Sequence, residues 1–128
     1  MNEPNPMRFF IVEDEPEMAW QLARMLARRG HRTLTAADGP EAVHRLRDIS
    51  ADAVLLDLSL PGLDGLGVLQ ALAEDARPRA IPVLVMTDGG SEATIRALCS
   101  LYPAVRSVVT KPVTEDALNR LIRNARLQ

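Results

Sequence analysis

The sequence predicts an α/β domain whose core is a parallel sheet covered on both faces. Three observations predict it. Four short apolar runs, Phe9-Phe10-Ile11-Val12, Ala53-Val54-Leu55-Leu56, Pro82-Val83-Leu84-Val85-Met86 and Val108-Val109-Thr110, show too little alternation for a sheet with one wet face. Between them lie segments with apolar residues at helical spacing, so strand and helix patterns alternate along the chain. The runs also end alike, in Glu13-Asp14, Asp57, Thr87 and Lys111. In an open parallel sheet the C-terminal strand ends share one edge, and that edge is where ligands bind. The pattern therefore brings three carboxylates, one hydroxyl and one ammonium to a single crevice.

The elements follow in order. After the first strand, Glu15-Pro16-Glu17 starts a helix, with Pro in the first turn and acids at the positive end. Met18, Leu22, Met25 and Leu26 share its inner face, and Gly30 stops it. Arg32 to Ala36 is a weaker, alternating strand. Asp38-Gly39-Pro40 starts a second helix, with Ala42, Val43, Leu46 and Ile49 on one face. The loop Leu58 to Gly65 follows the Asp57 strand, and a third helix carries Leu66, Leu69 and Leu72. Ser91 caps a fourth helix that Tyr102-Pro103 ends, and Thr114 caps a fifth that buries Leu118, Leu121, Ile122 and Ala125. The result is five βα units with right-handed crossovers. Residues 1–6 read as a loose lead-in and 7–128 as one domain.

Composition excludes several classes. The apolar share is 47%, which argues against disorder, and the net charge of −2 leaves no footprint for nucleic acid or an anionic membrane surface. No stretch is apolar for long enough to span a bilayer, and the first residues lack the apolar core of a signal peptide. Cys99 is the one cysteine, so no internal disulfide forms, and a cytoplasmic location fits. Cys99 follows Leu98 in the fourth helix and reads as a buried thiol. His31 and His44 have no partners at ligand spacing and read as structural or solvated. Asp52 precedes its strand and reads as a turn residue at the opposite edge. Of fifteen basic residues, Lys111 is the only Lys. A compact ammonium suits a small anionic pocket better than a planar guanidinium fork.

Taken together, Val12-Glu13-Asp14-Glu15, Leu56-Asp57-Leu58-Ser59-Leu60-Pro61-Gly62-Leu63-Asp64-Gly65, Met86-Thr87 and Thr110-Lys111-Pro112-Val113 resemble the receiver domain of bacterial response regulators, the phosphoacceptor half of two-component signalling. The resemblance extends from about Met7 to Ala125. It implies a flavodoxin-like doubly wound (βα)5 fold, with a five-stranded parallel sheet in the order 2-1-3-4-5. It implies that Asp57 accepts a phosphoryl group from the phosphohistidine of a histidine kinase or histidine phosphotransfer protein. Mg2+ would be held by Asp14, Asp57, the Ser59 carbonyl and, partly through water, Glu13. Carboxylates this close repel: at ~4 Å a pair costs about 4 kcal/mol at an effective dielectric near 20, and a hard divalent cation offsets that cost. Lys111 would pair with a phosphoryl oxygen, and Thr87 would hydrogen-bond another. The domain would catalyse its own phosphorylation and hydrolysis as a switch rather than a turnover enzyme. The Lys111-Pro112 bond of such domains is usually cis.

Three positions depart from that pattern. Val108 stands where receivers carry a Tyr or Phe that turns inward on activation. Asp88 follows Thr87 where Ala or Gly is usual, and an inward carboxylate there would repel phosphate. Arg106-Ser107 replaces an acid pair of dimeric DNA-binding receivers. Asp88 and Val108 support an alternative, a receiver-fold interaction module that binds partners without regulated phosphorylation. A hydrolase or flavin protein fits less well: Ser59 stands where a phosphatase would place a second Asp, and the first strand ends in acids. Trp20 lies opposite the buried face of its helix, either as an anchor for a partner or stacked on Arg24 one turn on. In receivers, the first helix docks kinases and phosphotransfer domains.

Overall fold

The computed structural model describes residues 5–48, 50–58, 65–74, 81–89 and 91–126. The chain runs β1 (Arg8–Val12), α1 (Pro16–Arg28), β2 (Arg32–Ala36), α2 (Gly39–Leu46), β3 (Ala53–Asp57), α3 (Gly65–Ala73), β4 (Val83–Thr87), α4 (Glu92–Leu101), β5 (Val105–Thr110) and α5 (Glu115–Arg126). The strands form one parallel sheet in the order β2-β1-β3-β4-β5, the expected doubly wound topology.

Alternate residues of the central strands feed two cores, as the two-residue strand period requires. Phe9, Ile11, Leu55, Leu84 and Met86 pack with Leu22, Leu26, Leu118, Leu121 and Ile122 from α1 and α5. Phe10, Val12, Val54, Leu56, Val83 and Val85 pack on the other face with Ala42, Leu46, Val68, Leu69 and Leu98 from α2, α3 and α4. A fully buried Leu, Ile or Phe contributes about 1.5–3 kcal/mol relative to an exposed one. This two-sided burial is why β3 and β4 read as unbroken apolar runs.

Local signals set the helix ends. Asp38 accepts the Glu41 N–H at 2.8 Å, Ser91 the Thr94 N–H at 3.1 Å, and Thr114 the Ala117 N–H at 3.1 Å. Pro16 opens α1, and Gly30 closes its C-terminal turn at φ 86°, a left-handed conformation that favours glycine. The Lys111-Pro112 bond is cis. His31 is structural and buried: its Nδ1 accepts the Met7 N–H at 2.9 Å, and its ring meets Phe9 edge-on. His44 is exposed on α2.

One expectation is corrected. Cys99 is exposed, because α4 buries Leu98 alone and successive residues on a helix do not share a face. Leu66 is 47% exposed; the inner face of α3 is Gly65, Val68 and Leu69, with Leu72 packed at its margin. Ile49, residues 59–64, Gly90 and the first four residues lie outside the described residues, and the assignment of the Ser59 carbonyl falls among them.

Candidate functional site

The C-terminal edge of the sheet gathers the strand endings. Glu13 extends β1 by one residue, its N–H bonded to the Ala36 carbonyl at 3.0 Å, and its side chain turns in. Asp57 is the last residue of β3. Lys111 follows β5, with its N–H on the Thr87 carbonyl at 2.8 Å. Glu13 and Asp57 are only 2% and 1% exposed. Lys111 Nζ lies 2.8 Å from Glu13 Oε1 and donates to Asp57 Oδ2 at 3.1 Å. Asp14 is exposed beside them, and one carboxylate oxygen from each of Glu13, Asp14 and Asp57 falls within 4.8 Å of the others.

Burial is the largest influence on Glu13. It pushes the carboxyl up to about 7, and the Asp57 charge adds to this; Lys111 and the Glu15 N–H, which donates to Glu13 Oε2 at 3.2 Å, only partly compensate. Burial also pulls the Lys111 ammonium down, but its hydrogen bonds to Glu13 and Asp57 outweigh that and leave it raised. The ammonium therefore stays charged across the physiological range and bridges two acids. Three acids against one cation leave an oxygen-rich, electron-rich cluster, and hard oxygen donors of this kind fit Mg2+.

Not every predicted residue joins the cluster. The Thr87 hydroxyl donates to the Gly89 carbonyl at 2.7 Å and accepts the Gly89 N–H at 3.2 Å, so it is engaged with the loop that leads to α4. Asp88 is exposed rather than turned inward. Val108 is half-buried against the α2–α4 core. Asp52 is at the opposite edge, where its Oδ2 accepts the Arg8 N–H at 2.7 Å. Trp20 is 59% exposed, with the Arg24 guanidinium 5.1 Å from its ring centroid, so exposure and stacking coexist. An open cavity of about 370 Å3 between α1 and the end of β2 runs from Glu13 and Asp14 to Trp20.

Sequence reasoning missed Gly65. Its N–H bonds the Leu58 carbonyl at 3.2 Å, and a Cβ there would lie 2.5 Å from Leu58 Cα and 2.9 Å from the Asp57 carbonyl oxygen. The start of α3 thus rests directly on the backbone that carries Asp57. The signal was the glycine opening a helical pattern eight residues after Asp57, since close backbone approach favours glycine.

Comparison with known proteins agrees with this geometry. The chain is 35% identical to the protein PilH of Pseudomonas aeruginosa over 115 residues, covering 90% of this chain and 93% of that one. It is 31% identical to the DNA-binding response regulator MtrA of Mycolicibacterium smegmatis, of which it spans 50%. The fold matches the chemotaxis response regulator CheY4 of Vibrio cholerae with a TM-score of 0.84 at 19% identity, covering 94% of this chain and 99% of that one. It also matches the receiver domain of the sensor histidine kinase PA1611 of Pseudomonas aeruginosa, with a TM-score of 0.80 at 27% identity, covering 94% and 98% of the two chains. That structure has a magnesium ion coordinated in its active-site cleft. The response regulator receiver domain family matches residues 9–123, and with the acids and the lysine at the strand ends where that fold binds ligands, this chain belongs to the family of response regulator receiver domains.

Proposed function

We propose that the domain accepts a phosphoryl group on Asp57 from the phosphohistidine of a histidine kinase or histidine phosphotransfer protein, in a Mg2+-dependent reaction in the cytoplasm that switches partner binding. The observation that carries this reading is the Lys111 ammonium, held 3.1 Å from Asp57 and 2.8 Å from Glu13 beside the exposed Asp14. Asp14, Asp57 and Glu13 would hold the ion, with the Ser59 carbonyl as a further ligand. Bound there, Mg2+ would offset the carboxylate repulsion and neutralise charge on the phosphoryl oxygens.

An Asp57 carboxylate oxygen attacks phosphorus in line with the P–N bond of the phosphohistidine. That bond breaks, its electron pair stays on the imidazole nitrogen, and the imidazole takes up a proton. Lys111 shifts from the carboxylate to a phosphoryl oxygen, where its charge counts most in the transition state. Thr87 leaves Gly89 to hydrogen-bond another oxygen, which frees both bonds that tie the loop. Hydrolysis returns the site to its starting state when water attacks phosphorus and the bond to Asp57 breaks. Trp20, exposed on α1 beside the acids, would contact the phosphodonor.

Incubation with acetyl phosphate and Mg2+ should add the mass of one phosphoryl group to the intact chain, and chelation of Mg2+ should abolish the gain. No gain with Mg2+ present would favour the interaction module that works without phosphorylation.

A further inference from the structure

The N-terminal edge of the sheet carries charge of the opposite sign. Arg8 and Arg32 are register partners in β1 and β2. Register partners project to the same face of a sheet, from strands about 4.8 Å apart. Arg8 Nη1 donates to the Ser50 carbonyl at 3.4 Å, and Arg32 is exposed. Among the described residues, neither guanidinium has a carboxylate within ion-pair distance. Both arginines line an open cavity of about 440 Å3, together with Pro6, Met7, Ser50 and Asp52. Among the described residues of that lining Asp52 is the one acid, and its Oδ2 accepts the Arg8 N–H.

We propose that this edge, between Arg8 and Arg32, is a second anion site that takes a phosphate dianion, free or carried as a small monoester. Two guanidinium forks at one cavity match the several oxygens of a tetrahedral anion, each able to offer paired N–H donors. The strands are five residues long, so this edge lies about 16 Å from the acids at the other. The proposal is therefore separate from phosphoryl transfer at Asp57.

The test is amide NMR on the 15N-labelled, metal-free protein in EDTA, at ionic strength held constant with sodium chloride. Inorganic phosphate is titrated in one arm and glycerol 3-phosphate in the other. Saturating shifts are expected at the Arg8, Arg32 and Asp52 amides at millimolar ligand. Arg32→Gln should weaken binding about fivefold or more by removing one charged fork. Asp52→Asn keeps an acceptor for the Arg8 N–H and removes the opposing charge, so it should tighten binding about twofold to fivefold. A purely structural Asp52 would not produce that gain. Saturation by both ligands means the dianion suffices, and saturation by the ester alone means the carrier is read as well; both support the site. Shifts that fail to saturate, that chloride alone reproduces, that survive Arg32→Gln, or that arise only around Asp57 would overturn it. With no phosphodonor or Mg2+ present, the result does not depend on whether Asp57 is phosphorylated.

Discussion

At Glu13, burial and charge pull in opposite directions, and burial prevails. A carboxyl raised from 4.5 to about 7 in the fold binds its proton more tightly there than in the unfolded chain. Its contribution to stability is fully present below about pH 4.5 and is lost as pH rises through 7. In EDTA, the stability of the wild type relative to Glu13→Gln should therefore be greater at pH 5 than at pH 8, by on the order of 2 kcal/mol. A flat difference in paired denaturation curves would contradict the burial argument. Gly65 makes a second case at this scale. A methyl group at Gly65 would press on the backbone of Asp57 and Leu58, and backbone atoms have little room to give. Gly65→Ala should cost about 1–3 kcal/mol in urea unfolding and slow labelling by acetyl phosphate. Gly89→Ala is the control, because a Cβ there meets nothing within 4 Å; equal effects of the two would show that the clash is relieved at no cost.

Among the helices, α4 buries the fewest side chains. It buries Leu98 alone, whereas α5 buries Ala117, Leu118, Leu121, Ile122 and Ala125, and Arg29 at the end of α1 adds an ion pair to Glu115 and a hydrogen bond to Asn119. Few buried apolar contacts mean low local stability. Amides of α4 should exchange faster than those of α1 and α5. On phosphorylation the change should be largest from Asp88 to Leu101, since Thr87 is tied to Gly89 at the start of that segment. Protection in α4 equal to α5, or changes confined to α5, would refute this. The same contrast explains what the sequence could convey. The faces of α1 and α5 were legible because several large apolar residues recur at helical spacing there. In α3 and α4 the apolar residues run nearly all round the helix, so spacing alone does not select the buried side. That is why the exposure of Cys99 was not legible in the sequence.

For the molecule as a whole, what the sequence conveyed best was convergence. Strand ends far apart in sequence meet because a parallel sheet aligns them, and Glu13, Asp14, Asp57 and Lys111 come together on that account alone. The partner of the Thr87 hydroxyl and the exposure of Asp88 were not legible, because the backbone of the loop after β4 decides both. The half-burial of Val108 follows from its strand position, and its branched side chain has no ring to turn. A response at the whole-molecule scale would thus travel through the backbone of the β4–α4 loop, and its extent is limited by the differential contact of phosphate with two loop arrangements. All of this depends on phosphate arriving at one carboxylate. The most direct measurement is to locate it: label with acetyl phosphate and Mg2+, reduce the acyl phosphate with borohydride, and map the modified residue by peptide mass spectrometry, with Asp57→Asn in parallel. The modification should fall on Asp57 alone and vanish in the folded variant; modification at Asp52 or Asp64, or undiminished labelling of Asp57→Asn, would contradict the account.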